Sequence, residues 1–395
     1  MSNYLISVII PTRNRQTYCA AAVKQILSLK QNIQIIIQDN SDNNDLKELL
    51  KNEIDESEVI YNFVNYRIAG IDNYNEASKH ATGEFFIAIG DDDALLPNIT
   101  ECALWMKKNN IDGVLPSKRL FYFWPDSNNK DRSKAEGKLR AYNYTGKVKK
   151  IDSKKTVIDL LCNGGQDYLS LSMIGSYHCL VRTECMKDVY DITGRYYGGL
   201  SPDMYSAIAL SLLENKKYVE IDFPISLPGV CPRSTSADSA NGKHVGKLET
   251  APHFIGLQEP YIWNEQVPRY YSVETIWAET MLHTLIKMNR KDLIDQYFNR
   301  TILINRLFYD NPNYQEDISK ILSTEDKELL KDNIEVNRKK HEFENIIKNI
   351  YYTFRRLELR NNRCSDIFIA SNEIETYLNH RYHKKMWRKI ISTSI

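Results

Sequence analysis

The chain predicts an α/β protein with a mostly parallel sheet, followed by an α-helical C-terminal region, and three observations carry that prediction. Over the first hundred residues, short apolar β-branched runs alternate with segments whose apolar residues recur at helical spacing. Each of the four apolar runs there ends in a polar cluster, and the last ends in Asp91, Asp92 and Asp93. After Pro268 the character changes to long, charged, helix-like segments.

In order, Leu5 to Ile10 reads as a buried strand and Thr17 to Leu29 as a helix with Ala21, Ala22, Ile26 and Leu29 on its apolar face. Ile33 to Ile37 is a second strand. Asp45 to Lys51 is a short helix with Asn43 or Asn44 available as its cap. Val59 to Val64, the helix Ile71 to Ala81 and the strand Glu84 to Ile89 complete the alternation, which implies a sheet covered on both faces. Pro97 to Asn109 and Ser153 to Cys162 are helical, and Asp112 to Leu115 and Tyr177 to Val181 are strands. Residues 125 to 150 read as an exposed insertion or hairpin. Tyr205 to Leu213 is a helix with Asp203 at its start, and residues 224 to 252 form a loop or lid. Helices are expected over Tyr271 to Met288, Lys291 to Phe308, Glu316 to Leu322, Lys327 to Arg356 and from Glu373 onward. The division expected is residues 1–250 and 251–395.

The charge is nearly balanced, with 52 Lys plus Arg against 51 Asp plus Glu, so nothing global favours nucleic acid as a partner. Seven cysteines without a CxxC pair fit reduced thiols better than a disulfide framework or zinc site. The first apolar stretch is too short to span a membrane and has no basic leader, so a cytoplasmic location is expected.

In parallel sheets, ligands gather beyond the carboxyl ends of the strands. Here those ends carry Pro11-Thr12-Arg13-Asn14-Arg15, Gln38-Asp39-Asn40-Ser41-Asp42, Asn65-Tyr66-Arg67 and the Asp triplet. Three like charges at one point need water or a cation to offset their repulsion. Hard oxygen ligands suit Mg²⁺ or Mn²⁺ shared with substrate phosphates. The alternative is a solvated acidic turn before the next helix.

The series Ser7 to Arg15, Gln38 to Asp42, Asn75 to Gly83 and Glu84 to Pro97 resembles the nucleotide-sugar-binding half of family-2 glycosyltransferases, which have the GT-A fold. The resemblance covers residues 5 to 100 and continues more weakly to about 230. It implies an inverting, metal-dependent enzyme that moves a sugar from a nucleotide-diphosphate sugar, UDP most of all, to a hydroxyl of a glycan or lipid-linked glycan. Bacterial capsule, lipooligosaccharide or other surface-polysaccharide synthesis is the implied setting. The family pattern Asp-x-Asp-Asp appears here as Gly90-Asp91-Asp92-Asp93, so the first acidic place is missing and Asp92 aligns with the metal-binding carboxylate.

From the resemblance, Pro11, Thr12, Arg13, Asn14, Asp39, Asn75, Asp91 and Asp92 are expected to hold the donor, with Asp39 reading the base. Asp39 as a turn-forming residue is the alternative. Asp92, Asp93 and His244 are the expected metal ligands. Arg13, Arg15 and Arg67 are candidates for charge near the diphosphate, and the segment Arg233 to His244 reads as a lid or, equally, as a solvated loop with no role. Asp203 is the expected base, with helix capping as its alternative.

Arg381 to Lys389 collects basic residues around Tyr382, Met386 and Trp387. It reads as a solvated helix end or as a peripheral contact with the cytoplasmic face of the inner membrane. Homo-oligomerisation through the C-terminal helices is a further expectation. Two rival functions remain open: a sugar nucleotidyltransferase, and a non-catalytic nucleotide- or glycan-binding protein of the same fold. The first usually carries a Gly-rich loop after strand one, absent from Pro11 to Arg15.

Overall fold

The computed structural model describes residues 4–56, 59–117, 120–125, 136–232, 245–331, 356–359, 364–382 and 385–393. Its strands are β1 (Ile6–Thr12), β2 (Ile33–Asp39), β3 (Val59–Phe63), β4 (Phe85–Ala88), β5 (Ala94–Leu95), β6 (Gly113–Pro116), β7 (Phe121–Phe123), β8 (Leu139–Tyr142), β9 (Val148–Lys150), β10 (Leu180–Arg182), β11 (Tyr218–Ile221), β12 (Ser226–Leu227), β13 (Gly229–Val230) and β14 (Arg356–Leu359). The main sheet has the order β3-β2-β1-β4-β10-β6-β11-β9. Its first four strands are parallel, while β10 runs antiparallel between β4 and β6.

Burial on both faces explains why β1 is apolar without alternation. Val8 and Ile10 point into one core, shared with the helices Gln16–Ser28 and Ile99–Lys108. Ile9 points into the other, shared with the helices Gly70–Ser78, Thr183–Thr193 and Pro202–Ser211. Gly83 is needed because a Cβ there would stand 2.5 Å from the Ser7 backbone nitrogen. Ser7 Oγ instead accepts the Gly83 N–H at 2.7 Å.

The helix Pro202–Ser211 is the hinge of the architecture. Every residue from Met204 to Ser211 is buried, because one side faces the sheet and the other faces the helices Ser153–Cys162 and Val273–Lys287. Val273–Lys287 begins with a capping box in which Ser272 and Thr275 satisfy each other's backbone N–H groups. The single helix expected over Lys291 to Phe308 is two, Lys291–Tyr297 and Arg300–Tyr309. Asn299 breaks it by capping the second, accepting the Ile302 N–H at 3.1 Å. Asn44 precedes the short helix at Asp45 without a side-chain cap, and Asn43 accepts from Gln16 instead.

The C-terminal segment departs from a two-part division at residue 250. β14 pairs with β8, and the helices Ile367–Tyr382 and Lys385–Ile391 return to the α/β layer. There Ile367, Ala370, Ile374, Leu378, Trp387 and Ile390 complete the core that holds Val8 and Ile10. The aromatic residues read as membrane anchors are therefore turned inward. Trp387 is buried against Phe223 and donates to Glu101, and the Tyr382 hydroxyl accepts the Tyr144 N–H at 3.0 Å. Among the described residues, no helix is long and apolar enough to cross a membrane. The helix expected over Lys327 to Arg356 lies mostly outside the described residues.

Candidate active site

Strand register brings the polar ends together. Thr12 pairs with Asp39 and Asp39 with Phe63, while Ile9 pairs with Ala88, so the Asp triplet follows on the same rim. Asp39 is fully buried; its Oδ1 accepts the Ser41 N–H and its Oδ2 the Tyr61 hydroxyl, each at 2.8 Å. It thus forms the turn that follows β2, yet each oxygen keeps a lone pair for a ligand N–H.

The triplet is buried as well; Arg15 offsets its charge from inside the chain, and His178 lies against Asp93. Arg15 Nη2 lies 2.6 Å from Asp91 Oδ1, and Arg15 Nη1 lies 3.8 Å from Asp92 Oδ1. Thr12 donates to Asp91 Oδ2 at 2.5 Å. Burial nonetheless raises the Asp91 carboxyl, against the pull of Arg15 and Thr12. Asp93 Oδ2 meets His178 Nε2 at 3.1 Å and accepts from Tyr177 at 3.2 Å and from the Gly90 N–H at 2.5 Å. Asp93 Oδ1 accepts the Gly229 N–H at 2.7 Å. Burial would raise Asp93, but His178 and these N–H groups outweigh it and hold the carboxyl below its ordinary value. Asp92 is the least committed. Its Oδ2 accepts the Cys231 N–H at 3.0 Å, and burial, reinforced by Asp93 and Asp91 against Arg15, pushes its carboxyl up to about 7.

The missing first acidic residue has a steric reason. A Cβ on Gly90 would stand 2.9 Å from Asp93 Oδ2 and 3.0 Å from Asp92 Oδ1. A side chain there would push into the two carboxylates it precedes.

Asp203 sits in the first turn of Pro202–Ser211, where the cap position belongs to Ser201. Its Oδ1 accepts the Ser201 hydroxyl at 2.6 Å and its Oδ2 accepts the Tyr168 hydroxyl. Tyr168 in turn stands edge-on to Trp277 of the helical region. Asp203 lines a cavity of about 730 Å³, and Tyr177, the donor to Asp93, lines the same cavity. Tyr177 therefore links the cavity that Asp203 lines to the Asp triplet.

Residues 7–163 match the profile of Glycosyl transferase family 2. That stretch is similar to a family 2 glycosyltransferase domain. A curated relative, the GalNAc(5)-diNAcBac-PP-undecaprenol beta-1,3-glucosyltransferase of Campylobacter jejuni, is 34% identical over 94 residues. That alignment covers 23% of this chain and 30% of the relative's length. Among solved structures, S. aureus TarS 1–349 in complex with UDP-GlcNAc aligns at 14% identity and a TM-score of 0.42, over 82% of this chain and 78% of that one. A second structure of TarS 1–349 aligns at 14% identity and a TM-score of 0.40, over 80% and 83%. The architecture is a mixed sheet flanked by helices with a helical C-terminal region.

Within the matched stretch, the residues expected at the donor play unequal parts. Arg13 donates to the Asn40 carbonyl at 2.5 Å and pairs with Asp42 at 2.7 Å, and Asn14, at φ +53°, exchanges hydrogen bonds with Asp42. They lock the first rim turn to the second. Asn75 is a staple: its amide donates to the Ile71 and Tyr197 carbonyls, and its Oδ1 accepts from the N–H groups of Tyr196 and Tyr197. That set fills every hydrogen-bonding position of its side chain, leaving none for a donor.

A metal fits this domain only in a restricted way. Among the described residues, no group of three or more His, Cys, Asp and Glu is placed to hold an ion. Asp93 Oδ2 is taken up by Gly90, Tyr177 and His178 and its Oδ1 accepts the Gly229 N–H, and the oxygens of Asp91 face Thr12 and Arg15, so Asp92 is the more open of the expected acidic ligands. His244 and the lid segment lie outside the described residues. Asp92 remains as the residue that would hold an ion. One carboxylate suffices for an ion that takes its other ligands from substrate phosphates and water.

His178, Tyr168 and Tyr177 were not foreseen as functional from the chain alone. His178 reads as part of a strand, yet its φ of +59° places it in the left-handed region, which aims the ring at Asp93.

Proposed function

We propose that this protein is an inverting glycosyltransferase that moves a sugar from a UDP-sugar to a hydroxyl of a glycan acceptor in bacterial surface-polysaccharide synthesis. The observation that carries the reading is the link through Tyr177, which bonds Asp93 on the donor rim and lines the cavity that holds Asp203. A base held one residue away from the donor rim supports attack by an acceptor hydroxyl on a donor bound there.

In this reading Thr12 and Asp39 meet the nucleoside, and Arg15 faces the diphosphate from beside Asp91 and Asp92. Asp203 takes the proton of the acceptor hydroxyl as its oxygen bonds to the anomeric carbon and the bond from that carbon to the diphosphate breaks. Mn²⁺ or Mg²⁺ on Asp92, when bound, would supply electrostatic stabilisation of the leaving diphosphate. Tyr168 and Ser201 hold Asp203 in one orientation. The relative whose name places it on an undecaprenol-linked glycan supports a lipid-linked acceptor. The cytoplasmic face of the inner membrane is the corresponding setting.

The test is calorimetric titration of UDP and GDP with Mn²⁺ present and absent, followed by donor turnover. Asp203→Asn is expected to keep nucleotide binding and lose transfer by about 10²–10⁴-fold. Absence of nucleotide binding, or undiminished transfer by Asp203→Asn, would overturn the reading.

A further inference from the structure

The cavity beside Asp203 is built mostly from residues that follow residue 163, beyond the matched stretch. At about 730 Å³ it falls within the ~300–1,000 Å³ of ordinary ligand sites. Its walls are of two kinds. Phe121 and Tyr142 present rings, and Leu169 stands 63% exposed at the edge. Glu220 and Asp222 present carboxylates that are already oriented. Glu220 accepts from Ser172 and lies 3.0 Å from Lys149, and Asp222 accepts from the Thr145 hydroxyl at 2.6 Å and from Ser117 at 3.1 Å.

With Asp203, three carboxylates face two lysines, Lys147 and Lys149, and Lys149 is already paired. An anionic ligand would meet a net negative lining, and a purely apolar one would strip water from carboxylates without replacing its hydrogen bonds. A ring that carries hydroxyls on its edge and C–H bonds on its faces answers both walls, donating to the carboxylates and lying against the aromatics. We infer that this cavity binds a neutral, hydroxyl-rich saccharide of more than one ring, one hydroxyl of which reaches Asp203. The inference rests on the proposed function for the role of Asp203, whereas saccharide binding itself needs no nucleotide.

The experiment is saturation-transfer NMR on the full chain with lactose, N,N′-diacetylchitobiose and digalacturonate as probes. At least one neutral disaccharide is expected to bind, at least about 10-fold more tightly than digalacturonate. Leu169→Cys in a Cys162→Ser background adds a blocking test, because Cys162 is exposed and the other six cysteines are buried. Labelling that cysteine with a bulky maleimide should abolish disaccharide binding and leave UDP binding unchanged. Equal or preferred binding of digalacturonate, no saccharide binding at all, or full binding after labelling would overturn the inference. UDP titration of the same sample separates the two readings: lost UDP binding with saccharide binding retained defeats the donor assignment alone.

Discussion

Arg15 Nη2 lies 2.6 Å from Asp91 Oδ1, and Asp91 is completely buried. The guanidinium is thus an internal counter-charge for a triplet that has little water to solvate it. Its own protonation is held above the ordinary value, because the charges of Asp91 and Asp92 outweigh the opposing effect of burial. Removing one partner of a buried pair leaves the other uncompensated. Arg15→Gln should therefore destabilise the fold by about 3 kcal/mol in urea denaturation. The double variant Arg15→Gln with Asp91→Asn should cost clearly less than the two single costs added; additive costs would show that the pair is not coupled.

The Tyr168 hydroxyl reaches Asp203 from the short turn Tyr168–Ser170, and Trp277 fixes the ring from the helical region. Tyr168→Phe keeps the ring and removes the donor. Transfer is expected to fall about 10-fold in kcat, with the KM for the nucleotide sugar unchanged. A change in donor KM alone would place Tyr168 outside the acceptor-side machinery.

Much of this arrangement was legible from the chain, for reasons of pattern. Val8, Ile9 and Ile10 declare a strand buried on both faces, and the polar ends of four such strands must share a rim once they pair in parallel. Asp203 was legible because Pro202 and the apolar run after it mark a helix start. Contacts between distant segments were not. His178 reaches Asp93 across 85 residues, and Arg15 reaches Cys231 across 216, at 3.3 Å. No local periodicity records either. Asn75 belongs to a legible motif, but its four hydrogen bonds to residues 71, 196 and 197 show that the motif there anchors a helix.

Stability should respond to pH through Glu279, buried in the helix Val273–Lys287. Burial pushes its carboxyl up to about 7, against the opposing hydrogen bonds from the Asn264 N–H and the Tyr261 hydroxyl. A carboxyl raised on folding adds stability below its unfolded value, about 4.3, and loses that contribution as pH rises through about 7. His283, pressed against Tyr261, is lowered by burial to about 4, so its contribution runs the other way and is lost as pH falls from about 6.5 towards 4. Glu279→Gln isolates the first effect. Relative to the unsubstituted protein it should gain about 3 kcal/mol between pH 4.5 and pH 8 in urea titrations. A difference that stays constant over that range would remove Glu279 as the titrating group.

Trp387 decides between a membrane-facing and an inward-facing C-terminus. Its ring packs on Phe223 with centroids 5.7 Å apart, and its indole N–H is satisfied by Glu101, so little of it is available to a lipid surface. Exposed Arg388 and Lys389 flank it, and charge without an apolar anchor binds a bilayer weakly and in a salt-dependent way. Trp387→Ala is therefore expected to destabilise the protein by about 3–5 kcal/mol, as a cavity in a shared core does. Vesicles containing anionic lipid should leave the fluorescence of Trp387 unshifted, measured as the difference between the unsubstituted protein and Trp387→Phe. A blue shift at physiological salt, with Trp387→Ala fully stable, would show that the last helix leaves the core and inserts its ring into the bilayer.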